Sequence, residues 1–122
     1  MKEKETREVD EYAVVLITVP PSNADDIARK LVECKLVACV NVVRDIKSLY
    51  WWEGKVVEDN EALLICKTRQ DLLRELVDYV KKIHPYSVPE VLALSVSLGN
   101  PEYLKWVKES TREPRKWEES RG

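Results

Sequence analysis

The sequence predicts an α/β (α+β) sandwich whose four-stranded sheet follows the split βαβ order. Three observations carry that expectation: β-branched or aromatic runs alternate with amphipathic helical stretches, the two central runs are joined by the short turn Glu53 to Lys55, and 122 residues suit one domain. A chain of this size buries roughly two-thirds of the surface its unfolded form exposes, which is enough for a single core.

The elements follow in order. Ala13 to Val19 (AVVLITV) is an unbroken β-branched run stopped by Pro20 and Pro21, so it reads as a central strand covered on both faces. Ser22 with Asp25 three residues on resembles a helix cap, and Ala24, Ile27, Ala28, Leu31 and Cys34 recur at helical spacing up to about Lys35. The second β run begins near Val37, is interrupted at Arg44 and Asp45, and resumes from Ile46 to Trp52. After the turn, the return strand spans about Val56 to Lys67 and ends in the apolar stretch Ala62 to Cys66. Thr68 and Asp71 repeat the capping pattern, and Leu72, Leu73, Leu76, Val80 and Ile83 make a helical stripe that Pro85 stops. Val91 to Leu98 is the fourth strand. Asn100, Pro101 and Glu102 then supply the cap, first-turn proline and early acid of a third helix with Tyr103, Leu104 and Val107 on its apolar face. This β-α-β-β-α-β order with an added helix is the ferredoxin-like arrangement. Residues 1–10 and 112–122 are charge-dense and are expected to be solvated flanks of a domain at 11–111, with Trp117 able to dock locally.

One mismatch of lengths points beyond the single chain. Val37 to Trp52 would extend roughly 50 Å as a strand, whereas a fourteen-residue helix covers about 21 Å, so much of the hairpin lacks a helix to cover it. A bare two-stranded arm bearing Leu49, Tyr50, Trp51 and Trp52 is marginally stable in water and offers apolar surface and unpaired edges. Burial against identical subunits resolves both problems, so these four residues are expected at an oligomer interface.

Composition removes several classes. A net charge of -2 supplies no field for nucleic acid or anionic membrane, and no apolar run approaches the length of a bilayer span. The charged amino terminus is unlike a signal peptide, so a cytoplasmic protein is expected. Cys34, Cys39 and Cys66 form no C-x-x-C pair and are expected to be buried apolar thiols rather than zinc ligands or disulfides. A charged fraction of 34% leans toward a thermostable surface of ion pairs. No glycine-rich phosphate loop is present, and the strand cysteines are badly placed for a Cys-His pair, so no catalytic residue is assigned and an enzyme is not expected.

The chemical candidates are few. His84, the sole imidazole, suits a metal ligand or an acid-base group, or a structural contact at a helix C-terminus. Lys67, Tyr86 and Glu90 sit beside strand ends, where they could line a cleft between subunits, or serve as ordinary salt bridge and packing. Glu58, Asp59 and Glu61 could attract a hard cation through their oxygens, or form a solvated acidic turn that keeps a hairpin edge from aggregating, the reading preferred for such a cluster.

Several motifs together resemble the CutA divalent-cation tolerance family. They are Ser48-Leu49-Tyr50-Trp51-Trp52-Glu53-Gly54-Lys55, then Leu64 to Thr68 (LICKT), then His84-Pro85-Tyr86-Ser87-Val88-Pro89-Glu90, with Leu36 to Asn41 (LVACVN) and Tyr103-Leu104-Lys105-Trp106 in support. The resemblance covers roughly Ala13 to Thr111. It implies a ferredoxin-like protomer in a tight homotrimer with shared hairpins, and an association with tolerance of copper or another divalent cation. The number three comes from the resemblance alone. Some bacterial relatives are thought to use a first-strand Cys and two consecutive His as soft metal ligands; the matching positions here read Ile17, Ile83 and His84, leaving one ligand of three. The resemblance also admits a trimer akin to the PII regulators that holds a small ligand or protein partner in its clefts without metal.

Overall fold

In the computed structural model, which describes residues 11–115, the chain runs β1 (Tyr12–Val19), α1 (Ala24–Glu33), β2 (Cys39–Trp52), β3 (Lys55–Arg69), α2 (Leu73–Ile83), β4 (Val91–Ser95) and α3 (Pro101–Glu109). The flank expected at 1–10 and the part of the 112–122 flank past Arg115, Trp117 included, lie outside the described residues. Arg112, expected to be solvated, is instead tied to the body, its amide donating to the Lys35 carbonyl at 2.9 Å and its guanidinium to Glu75 at 2.7 Å. The sheet order is β2-β3-β1-β4 with every neighbour antiparallel, which is the expected ferredoxin-like order.

The two longer helices pack on one face of the sheet. Val15, Ile17 and Val19 of β1 and Ala62, Leu64 and Cys66 of β3 point into that layer at period two, where they meet Ile27 and Leu31 of α1 and Leu76 and Val80 of α2. The opposite face is only half closed. Val14 and Leu16 of β1 and Leu63 and Ile65 of β3 are half-buried there, and Leu92 and Leu94 of the edge strand β4 are exposed. The expectation that β1 is covered on both faces therefore holds for one face of the single chain.

Local chemistry moves several boundaries. Thr68 belongs to β3, where its hydroxyl donates to the Leu36 carbonyl at 2.6 Å, so it cannot cap α2; a 3-10 turn at Gln70–Leu72 leads into that helix instead. A similar turn at Pro21–Asn23 precedes α1, and no side chain caps it. Asn100 does cap α3, accepting from the Glu102 amide at 3.0 Å. The fourth strand ends at Ser95 rather than Leu98 because its partner β1 runs out at the Ala13–Ser95 pair. Lys35 adopts φ 63 just past the first helix, which terminates it two residues before the expected end.

The interruption at Arg44 and Asp45 is a β-bulge: Val43 pairs with Leu63 and Ile46 with Glu61, so two residues oppose Ala62 alone. Asp45 takes φ 60, and Arg44 reaches back to Asp25 of α1 at 2.5 Å. Beyond the bulge the arm continues to a two-residue turn at Glu53 and Gly54, both at positive φ, as a tight hairpin requires. Trp51 is 74% exposed and Leu49 61%, so the described chain leaves this arm uncovered.

Of the three thiols only Cys66 is fully buried, whereas Cys34 and Cys39 are half-buried and all three are free. The expectation of three buried thiols is corrected to one, because Cys39 opens β2 on the uncovered sheet face and Cys34 caps the end of α1. Burial pushes the Cys66 thiol up to about 12, with the Lys67 ammonium opposing weakly. An unfolded thiol ionises near 9, so the stability due to Cys66 is whole below that pH and is lost as pH rises toward 12. At pH 8, Ellman's reagent is expected to leave the Cys66 thiol unmodified until denaturant is added, and Cys66→Ala is expected to flatten the alkaline loss of stability.

Candidate functional site

The residues that bear chemistry converge where the hairpin arm leaves the body of the sheet. A hollow of about 700 Å³ lies there, walled by the arm (Lys47 to Tyr50, and Trp52), by Thr18 and Glu61 at the sheet, and by the loop after α2 (Tyr86 to Val88, and Glu90). The bulge builds it by shifting the alternation of β2. Before the bulge Val40 and Val42 face the helices, whereas after it Ser48, Tyr50 and Trp52 share the opposite face with Asp59 and Glu61 across the ladder.

His84 anchors the loop. Its backbone amide closes α2 on Val80 at 2.8 Å, its ring Nε2 lies 2.8 Å from the Thr18 carbonyl, and its Nδ1 accepts from the Tyr86 amide at 3.1 Å. These partners assign the neutral ring with the proton on Nε2, and they engage both nitrogens with backbone groups. The side chain is buried, and it stacks on Tyr86 with ring centroids 4.8 Å apart. Ile17 is buried among core side chains and Ile83 packs against the same core, so neither offers a ligand.

Two tyrosine–carboxylate pairs line the hollow. The Tyr86 phenol donates to Glu61 Oε2 at 2.8 Å, and the Tyr50 phenol donates to Asp59. Desolvation first, and then the bond to Glu61, push the Tyr86 phenol well above its ordinary value; for Tyr50 the bond to Asp59 is the main cause of a smaller rise. Both phenols therefore stay protonated donors. Glu90 accepts from the Thr18 hydroxyl at 3.4 Å.

The structure thus brings Tyr86, Glu90, Leu49, Tyr50 and Trp52 of the expected site residues to one place. Trp51 faces away, on the other side of the arm, and the Leu49 side chain shares that outer face although its residue borders the hollow. Lys67 lies six residues beyond Glu61 on β3, roughly 20 Å along the strand, where its ammonium meets Asn41 and approaches the Cys39 sulfur at 3.9 Å. Glu61 is the residue that sequence reasoning misplaced: it is 5% exposed, not part of a solvated stretch. Its signal was period two, since Glu61, Leu63 and Ile65 share one face. Among the described residues no group of three or more His, Cys, Asp or Glu side chains could hold a metal ion. The donor set of one chain does not fit a copper centre of soft ligands.

The model of the family described as "CutA1 divalent ion tolerance protein" matches residues 13–110. A relative from Oryza sativa, "Protein CutA 1, chloroplastic", is 54% identical over 82% of this chain, which spans 57% of that relative's length. The solved structure of the divalent cation tolerance protein from Thermus thermophilus superposes with a TM-score of 0.80 at 50% identity, covering 83% of this chain and 99% of that one. A structure titled as the apo form of the PII-like protein CutA from Nostoc superposes with a TM-score of 0.79 at 33% identity, covering 82% and 97%.

Proposed function

This chain belongs to the CutA1 divalent ion tolerance protein family, and from that premise we propose that it serves in the cellular response to divalent metal ions as a cytoplasmic, thermostable homotrimer with working clefts at its subunit boundaries. The observation that carries the reading is the uncovered arm. Leu49, Tyr50, Trp51 and Trp52 project on a ribbon whose β2 strand alone extends about 46 Å, against about 15 Å for α1. The half-closed sheet face with exposed Leu92 and Leu94 supports the same conclusion, because apolar surface of this extent is ordinarily covered by another chain.

His84 is read as a structural latch, given that both ring nitrogens serve backbone groups. Any copper or other divalent cation is left to oxygen donors or to groups gathered from more than one subunit. No catalytic residue is proposed. The cavity beside Tyr86 favours a second reading, in which a PII-like trimer takes a small organic ligand there; its size falls within the ordinary range of small-molecule sites.

Light scattering tests the assembly, with a trimer expected at micromolar concentration and a folded lone protomer contradicting it. Calorimetry with Cu(II), Cu(I) and Zn(II) tests the metal reading. Saturable binding that survives His84→Ala is expected, and an absence of binding by all three ions in the assembled particle leaves only the organic-ligand reading.

A further inference from the structure

We propose that the hollow beside Tyr86 binds an organic ammonium ion with an apolar or aromatic body, its head group held by the Glu61 and Glu90 carboxylates and its body resting on Tyr50 and Trp52. The inference rests on the reading of this hollow as the working cleft, and it names the class of ligand.

The charge balance comes first. Glu61 is 5% exposed, receives one hydrogen bond from the Tyr86 phenol, and makes no salt bridge among the described residues. A buried carboxylate with a single neutral partner gains from any cation that reaches it. Glu90 and Asp59 add two more carboxylates near it, each occupied only by a hydroxyl group, from Thr18 and Tyr50. Among the described residues the one basic side chain lining the hollow, Lys47, is already held by Glu58 at 3.6 Å and is mostly exposed.

The walls decide which cation fits. A bare metal ion needs several oxygens converging at about 2.0–2.6 Å, and no such cluster of three exists among the described residues. A volume of about 700 Å³ is far larger than an ion requires, and part of the wall is Trp52 and Val88. Indole and phenol faces attract a cation through the ring quadrupole, with alkylated ammonium groups the best matched because they shed water easily. An anion would meet the Glu61 and Glu90 carboxylates.

The test uses the full-length assembled protein, titrated by calorimetry and indole fluorescence with phenethylamine and benzyltrimethylammonium. Neutral 2-phenylethanol and anionic phenylacetate serve as shape controls. Both ammonium probes are expected to saturate at one per chain, with the controls at least about tenfold weaker, a difference of ~1.4 kcal/mol. Glu61→Gln, which keeps an acceptor for Tyr86, is expected to weaken the ammonium probes about tenfold and to leave 2-phenylethanol unchanged; Glu90→Gln acts in the same direction without touching a buried residue. Equal affinity for 2-phenylethanol and phenethylamine would overturn the inference, as would indifference to both substitutions. So would an assembled particle that takes up no ammonium probe below ~10 mM, since a neighbouring subunit's own cation would then occupy the site. A lone protomer that still binds phenethylamine would instead refute the assembly and leave the ligand class standing.

Discussion

Trp52→Ala is expected to shift the sedimenting species from trimer toward protomer, weakening association by about 2 kcal/mol or more at each contact, roughly 30-fold. The indole is 54% exposed in the single chain and lies on the inner face of the arm, where Tyr50 and the hollow adjoin it. Large aromatic side chains with this exposure carry a disproportionate share of interface energy. Val32→Ala is the matched control: Val32 is an exposed apolar residue on α1, remote from the arm, and its removal is expected to leave the sedimentation coefficient unchanged. Equal behaviour of the two variants would remove the arm from the interface.

His84→Ala is expected to lower stability by about 3 kcal/mol, read as a fall in melting temperature at fixed protein concentration. The substitution strips hydrogen bonds from the Thr18 carbonyl and the Tyr86 amide, and it removes the ring on which Tyr86 stacks. Each orphaned group costs on the order of 1–3 kcal/mol when water cannot replace its partner. Because the lost contacts tether the loop at Pro85 to Glu90, chymotrypsin is expected to cut after Tyr86 faster than in the unaltered protein. An unchanged melting temperature would mean that the imidazole has no structural task, and would return it to the pool of free ligands.

Much of the fold was legible because period and punctuation agreed. The run Ala13 to Val19 stopped by two prolines, and the stripe Leu72, Leu76 and Val80 stopped before Pro85, are patterns that tertiary packing had no reason to override. Capping was less legible. Thr68 carries the right side chain for an N-cap, but the pairing of Ala13 with Thr68 extends β3 past it, and its hydroxyl is used by Leu36. Strand length was misjudged at Val96 to Leu98 for a related reason: a strand persists only as far as its partner does.

The site was legible by residue type more than by place. Tyr86 and Glu90 fall beside the arm because a short loop returns from α2 over the sheet, which the His84-Pro85 punctuation already marked. Lys67 could not be separated from them by sequence, since its distance depends on how far β3 runs between it and Glu61. The burial of Glu61 was hidden by its neighbours Glu58 and Asp59, which made a solvated turn the natural reading. What distinguishes it is parity along β3, which sets Glu61 on the face of Leu63 and Ile65, while its cover comes from Tyr86, a residue of another loop.

That bulge has a consequence for how length changes in this strand are tolerated. With Arg44 and Asp45 both set against Ala62, odd and even positions trade sides at this point. Deleting one of the two would restore regular pairing while Tyr50 and Trp52 kept their orientation, so the strand loses only extra twist. A deletion between Ile46 and Trp52 has no such spare residue, and would turn Leu49 and Trp51 inward unless Asp45 were drawn into the place of Ile46. The extra residue is a buffer for register, held at the one point where the arm can be shortened without being turned inside out.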